Sequence, residues 1–226
     1  MVNDSTLFGV IGAIAVILFL GGGTLFAFTI SDGEKTSTWQ GYTIRHTLNQ
    51  IQQVDANRCS WSSTFDDTTN LVIQASRSSG SKCAGVDITN TMSVDVPLIK
   101  NSGKLQSVYI NSIGTASKTR LGFSSISSFI ENKQIAYTSS GTKEGEGSSS
   151  FSPILLVLQG NTISLPNGES INLSNANTLT VGFSVLASNQ QYNAEGGTAH
   201  LEISEIKTVY SQPTFTTPVV TTPSTN

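Results

Sequence analysis

The chain has 226 residues, of which only 12% are charged, against about 25% in an ordinary soluble domain. The net charge of −3 excludes the basic surface with which nucleic-acid-binding proteins neutralise phosphates, so we predict no nucleic-acid partner. The two cysteines and two histidines lack the short paired spacings of a zinc site, and we predict neither a metal nor a cofactor.

The N-terminal part of the chain is dominated by an uncharged apolar run over residues 7–30, which follows a short tail over residues 1–6. A membrane-spanning helix needs roughly 20 apolar residues, so the run predicts a single transmembrane helix. The run is longer than the core of about 7–15 residues in a cleaved signal peptide, which favours a retained anchor. Small residues four apart would let this helix pack closely on another membrane helix. They are Gly9 with Ala13 and Gly23 with Ala27.

Beyond the run, residues 31–38 are predicted to be a linker, and the pattern over residues 39–210 predicts one β-domain. Apolar and polar residues alternate over residues 92–98 and again over residues 179–185, as in half-buried strands. An unbroken apolar run over residues 154–158 predicts a strand that is buried on both faces.

A hairpin is predicted where Pro166-Asn167-Gly168-Glu169 separates two short apolar segments, because Asn-Gly accepts the positive φ values of a tight turn. Two other segments depart from strand patterning. Residues 126–137 carry apolar side chains at spacings that fit a short helix, and residues 141–150 are small, polar or charged, which predicts an exposed mobile loop. The many short strands together predict a mainly β fold, an antiparallel β-sandwich or jelly roll.

The closing segment of the domain is GGTAHLEISEIKTV, residues 196–209, in which a Gly-rich turn leads into an alternating strand. It resembles the last strand of concanavalin A-like and carbohydrate-binding jelly rolls. The resemblance covers mainly residues 150–210, and it implies a jelly-roll fold without implying a particular activity. The Thr- and Pro-rich residues 211–226 cannot form a core and predict a flexible tail.

Glu202 and Glu205 are the best candidates for catalysis, because jelly-roll glycosidases often carry two glutamates on one strand, about 5 Å apart. Here the two stand three residues apart, so a regular strand would direct them to opposite faces of the sheet. Neither His46 nor His200 has a Gly-x-Ser-x-Gly elbow to serve. We therefore predict that the chain is not an enzyme, and in particular not a glycosidase.

Four residues are candidates for covalent modification or ligand contact. Cys59 and Cys83 would pair in an oxidising compartment and close a loop of about 25 residues, worth roughly 3 kcal/mol, with two separate buried thiols as the alternative. Tyr192 lies in a polar loop, where we expect it to be exposed for stacking on a sugar. Asn172 begins the N-glycosylation sequon Asn-Leu-Ser.

These features predict a single-pass membrane protein with an extracytoplasmic β-sandwich, and its orientation rests on the cysteine pair and the weakly charged, Ser/Thr-rich domain. The first hypothesis is a non-catalytic binding or structural role at a cell or particle surface, with a glycan as ligand. The alternative is an accessory subunit of a larger membrane complex. The predicted partners are the lipid bilayer, other membrane helices or surface proteins, and glycans.

Overall fold

The computed structural model describes residues 12–20, 23–52, 61–77, 87–119, 122–141, 143, 145–165, 168–189 and 196–212. The regular elements within these ranges are β-strands. In chain order they are β1 (Gly12–Leu20), β2 (Gly23–Trp39), β3 (Tyr42–Gln52), β4 (Trp61–Asp66), β5 (Leu71–Arg77), β6 (Asp87–Pro97), β7 (Ile99–Lys100), β8 (Gly103–Lys118), β9 (Gly122–Ile130), β10 (Lys133–Ser139), β11 (Gly147–Phe151), β12 (Ile154–Gln159), β13 (Thr162–Ser164), β14 (Ser170–Asn172), β15 (Thr178–Asn189) and β16 (Gly197–Tyr210).

The strands form two sheets, and every pairing among the described residues is antiparallel. Sheet A has the order β1-β2-β3-β6-β15-β9-β10. Sheet B has the order β14-β13-β12-β8-β16-β5-β4, with β7 and β11 paired to β8. The last two strands, β15 and β16, are interior strands of sheet A and sheet B respectively, and each pairs with strands from earlier parts of the chain. The predicted antiparallel β-sandwich is confirmed.

The hydrophobic core lies between the two sheets, because side chains alternate between the faces of a strand. In β15 the inward residues Leu179, Val181, Phe183 and Val185 are buried, as the alternating pattern predicted. Strand β6 confirms the prediction over residues 92–98 as far as Pro97, with every second residue buried. These strands therefore present one apolar face to the core and one polar face to solvent.

The predicted hairpin is confirmed by β13 and β14, which pair with Ile163 opposite Ile171. Both isoleucines are buried, and Gly168 has a positive φ of 85°. The amide of Leu165 donates to the carbonyl of Glu169 over 2.8 Å, which closes the turn. The hairpin predicted from the Asn-Gly pair is therefore present, while Pro166 and Asn167 themselves lie outside the described residues.

The predicted helix over residues 126–137 is wrong, because the segment is a hairpin of β9 and β10. The turn between them is Glu131-Asn132, with φ values of 47° and 65°. These values are typical of a type I′ turn, which most often contains glycine and here has none. A β-bulge between Gln134 and Ala136 also disturbs the alternation, so the spacing of apolar residues resembled that of a helix.

Two further expectations are corrected at the edge of sheet B. Strand β12 forms as predicted but is buried on one face only, since Leu155 is 64% exposed and Val157 is 54% exposed. The expected mobile loop over residues 141–150 ends in strand β11, which pairs with β8 along Gly147–Phe151. A strand in a two-layer sandwich buries only the face that meets the other sheet, so serines occupy exposed positions of β11 and apolar side chains remain exposed on the outer face of β12.

The structure does not show the predicted transmembrane helix over residues 7–30. In the described part of that run, β1 and β2 form an antiparallel hairpin with Ala13 opposite Ile30 and Ala27 opposite Val16. Strand β2 continues through residues 31–38, where we expected a linker. The described residues contain no helix of the length and apolar character that a membrane span requires. An unbroken apolar run has no period to separate helix from strand, so its length alone favoured the helix.

Candidate functional site

A groove of about 480 Å³ lies on the outer face of sheet A, across strands β3, β6, β15 and β9. One cross-strand row forms its centre, and the row consists of Arg45, Ser93, Gly182 and Phe129. The neighbours of these residues along each strand are buried, apart from the half-buried His46, so the row itself lies on the outer face of the sheet. The strands that hold the core therefore also hold the groove.

Gly182 gives the groove its depth. It lies between Ser93 and Phe129 in the central row, where any other residue would place a side chain. A Cβ atom built at this position would lie 3.8 Å from the carbonyl oxygen of Phe129 and 3.9 Å from its Cβ, which is ordinary contact. Glycine is therefore not required here for backbone packing, and its effect is to leave the middle of the face open. Glycine inside a strand often marks a place where a ligand approaches closely.

Hydroxyl groups make up most of the polar floor. Thr47, Thr91 and Ser184 form the next cross-strand row, and Ser93 belongs to the central row. All four line the groove. None of these hydroxyls bonds another side chain in the part of the chain that the structure describes. Each is therefore available to donate one hydrogen bond and to accept others from a ligand.

One wall of the groove is fixed by an ion pair. The guanidinium of Arg45 donates to both carboxylate oxygens of Asp95, with Nη2 to Oδ1 and Nη1 to Oδ2 distances of 2.9 Å each. The hydroxyl of Thr180 donates to the same Oδ1 over 2.7 Å. Such a two-pronged pair holds a flexible arginine in one orientation. The wall is therefore preorganised, and the charge of Arg45 is balanced by Asp95.

Aromatic rings lie toward the β10 side of the same face. Phe129 lines the groove next to Gly182. Tyr137 lies opposite Ser127 in the adjoining row and is 53% exposed. Aromatic rings supply apolar contact surface, and tyrosine adds a hydroxyl. The face therefore combines hydroxyl groups in its centre with apolar ring surface at one side.

Carboxylates lie at the rim. Glu34 from β2 and Glu131 from the β9–β10 turn both line the groove and are exposed. Asn132 lies beside Glu131 in the same turn. Because Asp95 balances Arg45, these two glutamates give the groove a negative net charge.

Half of the predicted site residues lie outside the described residues: Cys59, Cys83, Tyr192 and Gly9. Their disulfide, sugar-contact and packing roles stay predictions. Ala13, Gly23 and Ala27 belong to the β1–β2 hairpin. Asn172 ends β14 and is exposed, and its Oδ1 accepts from the amide of Ser174 over 2.9 Å. Its glycosylation also stays a prediction.

The expected geometry of Glu202 and Glu205 is wrong. A β-bulge in β16 between Ile203 and Glu205 shifts the register, so Glu202 lies opposite Ile113 and Glu205 opposite Asn111. Both glutamates therefore lie on the outer face of sheet B. Glu202 accepts a hydrogen bond from the side-chain amide of Asn70, and Glu205 pairs with Lys207 at 2.9 Å. Each carboxylate is thus held by a neighbouring side chain.

Sequence reasoning missed the groove because its residues come from strands and a turn that are distant along the chain. Arg45 and Ser184 are far apart in the sequence. They line the same groove only because β3 and β15 both pair with β6. One local signal was present. Gly182 interrupts the outward row of Thr180 and Ser184 in an otherwise regular strand, and a glycine in that position indicates a close approach to the sheet.

Comparisons with known proteins add little to this geometry. No protein-family model matches the sequence. No curated protein matches it. A solved structure described as "CBM4 structure and function" aligns over 81% of this chain and 87% of its own, at 9% identity and a TM-score of 0.20. A likeness at that level carries no argument about function.

Proposed function

We propose that the chain is a non-catalytic carbohydrate-binding β-sandwich, and that a glycan binds in the groove on the outer face of sheet A. The observation that supports this most is the combination of free hydroxyl groups, an aromatic ring and a preorganised ion pair in one groove. Its volume of about 480 Å³ falls within the range of roughly 300–1,000 Å³ that is usual for small-ligand sites.

The chemistry of the groove matches the chemistry of a sugar ring. A sugar presents hydroxyl groups around its edge and C–H groups on its faces, so it needs hydrogen bonds and an apolar platform together. Thr47, Thr91, Ser93 and Ser184 supply the first, and Phe129 supplies the second. Because these residues are on paired strands, little conformational entropy is lost when a ligand binds.

The charges favour a neutral sugar. Arg45 is neutralised by Asp95, whereas Glu34 and Glu131 remain at the rim. A uronic acid or a sulfated sugar would bring a further negative charge close to these two carboxylates, and like charges across an interface disfavour binding. We therefore expect neutral hexose or pentose polymers to bind better than acidic ones.

A glycan array followed by titration calorimetry tests the proposal. We expect Phe129→Ala to weaken binding of the best neutral glycan by about tenfold, or roughly 1.4 kcal/mol, because it removes the aromatic platform. Leu155→Ala is the matched control, since Leu155 is exposed on the outer face of sheet B. Tyr192→Ala tests the loop that the sequence predicted as a ligand contact. The proposal fails if no neutral glycan binds, or if Phe129→Ala and Leu155→Ala bind it equally well.

Location is a separate proposal that rests on the sequence alone. The uncharged run over residues 7–30 would hold the chain at a membrane, with the weakly charged domain on the extracytoplasmic side. We expect the full chain to stay with membranes during carbonate washing and to require detergent for release. Ile17→Lys should release it, since a lysine near the middle of a span is disfavoured by about 2.5–3.5 kcal/mol. Recovery of the unaltered chain in the carbonate supernatant would contradict the proposal.

A further inference from the structure

A second cavity, of about 750 Å³, opens at one end of the sandwich, where β5 and β8 end and β11 and β16 begin. Its lining includes two cations, Arg77 and Lys118, and the hydroxyl-bearing residues Ser76, Ser117 and Thr198. The cavity is on sheet B and shares no residue with the groove of sheet A.

Arg77 is the unusual member of this lining. It is the last residue of β5 and follows Leu71, Ile73 and Ala75 on the inward face of that strand. Only 2% of its surface is exposed, yet Nε, Nη1 and Nη2 are all buried without a hydrogen-bond partner. A buried charge without a partner is strongly unfavourable, and a guanidinium has five N–H donors to satisfy.

Arg77 remains protonated at neutral pH. Burial lowers the pKa of its guanidinium to about 10, and the charge of Asp87 acts in the opposite direction. The side chain therefore stays a cation at the wall of the cavity, with its three nitrogen atoms buried and without hydrogen-bond partners. Its fork of parallel N–H groups matches two oxygens of a carboxylate, sulfate or phosphate.

Lys118 adds a second positive charge to the same cavity. It is the last residue of β8, is 6% exposed and donates from Nζ to the carbonyl of Lys143. Gly197 of β16 pairs with Lys118, and Thr198 next to it lies opposite Ser76, so Gly197 stands between the strand positions of Lys118 and Arg77. The backbone carbonyl of Phe123 occupies the space beside this glycine. An ammonium has three donors, which leaves Lys118 with donors for a further acceptor. Glu146 lines the cavity from an exposed position and takes part in none of the ion pairs among the described residues.

We propose that Arg77 and Lys118 form an anion-binding site at this end of the sandwich, and that it takes a ligand through a carboxylate, sulfate or phosphate group. Arg77 binds two oxygens of that group, and Lys118 contributes a second charge from the neighbouring strand. The proposal is independent of glycan binding in the groove of sheet A, because the two sites use different sheets and opposite charge.

Titration calorimetry and thermal unfolding of the full chain with sodium sulfate, phosphate and acetate, at ionic strength matched with sodium chloride, test the site. We expect saturable heat for the unaltered chain. At an anion concentration of ten times Kd, its melting temperature should rise by roughly 3 °C more than that of Arg77→Met. Sulfate stabilises proteins in general, so the difference between variants is the quantity to measure. Saturation by acetate alone assigns a carboxylate ligand, and saturation by sulfate or phosphate assigns a tetrahedral oxyanion.

The control is Lys100→Met, which removes one positive charge from an exposed position on β7 and should respond as the unaltered chain does. In chloride alone, Arg77→Met should melt at the same temperature as the unaltered chain or higher, because it removes a buried guanidinium whose N–H groups have no acceptor. If that variant does not fold, Arg77→Lys replaces it and should bind at least tenfold more weakly. Equal responses in the unaltered chain and the Arg77 variant, or no saturable heat with any of the three salts, would overturn the proposal.

Discussion

Phe183→Ala is expected to lower the free energy of unfolding by about 3–5 kcal/mol, because it leaves a cavity in the centre of the sandwich. Phe183 is 1% exposed and lies in β15, the strand between β6 and β9 in sheet A. Strand β15 also faces β5 and β16 of sheet B, so the ring contacts the core from both layers. For a domain of this size the loss corresponds to a fall in melting temperature of roughly 10 °C. Denaturant unfolding at 25 °C measures it directly.

The matched control is Phe129→Ala, which makes the same substitution on the adjacent strand. Phe129 lies opposite Gly182 on the outer face and is partly exposed, so we expect a loss of less than about 1 kcal/mol. The denaturant slope should stay unchanged in both variants, because the surface exposed on unfolding is the same. A similar loss of stability in the two variants would contradict the assignment of inner and outer faces.

The sequence predicted those elements whose evidence is local. The alternation over residues 179–185 and the Asn-Gly turn before Ile171 each carry their signal within a few residues, and β15 and the β13–β14 hairpin confirm them. The period of two also separated inward from outward residues correctly, including Val181 and Phe183. The class of fold followed from these elements.

Two of the errors share a cause, which is local irregularity of the strands. A turn without glycine at Glu131-Asn132 and a bulge after Gln134 hid the β9–β10 hairpin. A bulge between Ile203 and Glu205 placed two glutamates on the same face of sheet B, where opposite faces had been expected. One inserted residue changes which face every later side chain occupies, and composition does not reveal the insertion.

The groove was beyond sequence reasoning for a different reason. Its central row requires the register of β3 on β6, of β6 on β15 and of β15 on β9. Each register depends on long-range packing, so a sequence with hydroxyl-bearing residues on many strands does not show which of them are neighbours. The ion pair of Arg45 with Asp95 joins residues that are fifty positions apart. The role of Arg77 was also not predictable from the sequence. An arginine at the end of an apolar strand becomes a candidate binding residue only when its burial is known.

Gly182→Val is expected to abolish glycan binding while leaving the fold intact. The new Cβ would lie 3.8 Å from the nearest backbone atom, so the sheet has no clash to relieve, and the methyl groups would fill the centre of the groove. Glycine inside a strand is less stable than alanine by roughly 0.5–1 kcal/mol, so the variant should unfold at the same or higher denaturant concentration. Calorimetric titration with the best neutral glycan should show binding weakened at least tenfold, and Gly182→Ala should lie between the two.

The control for this variant is Thr89→Val, which adds apolar surface to the same face of sheet A two rows away, opposite Leu186. It should bind as the unaltered chain does, because Thr89 does not line the groove. Gly182→Val and Phe183→Ala alter the two faces of the same strand, β15. The first should weaken glycan binding without lowering stability, and the second should lower stability. If Gly182→Val binds glycan normally while remaining folded, the ligand does not enter the central row, and the carbohydrate site must lie elsewhere on the sandwich.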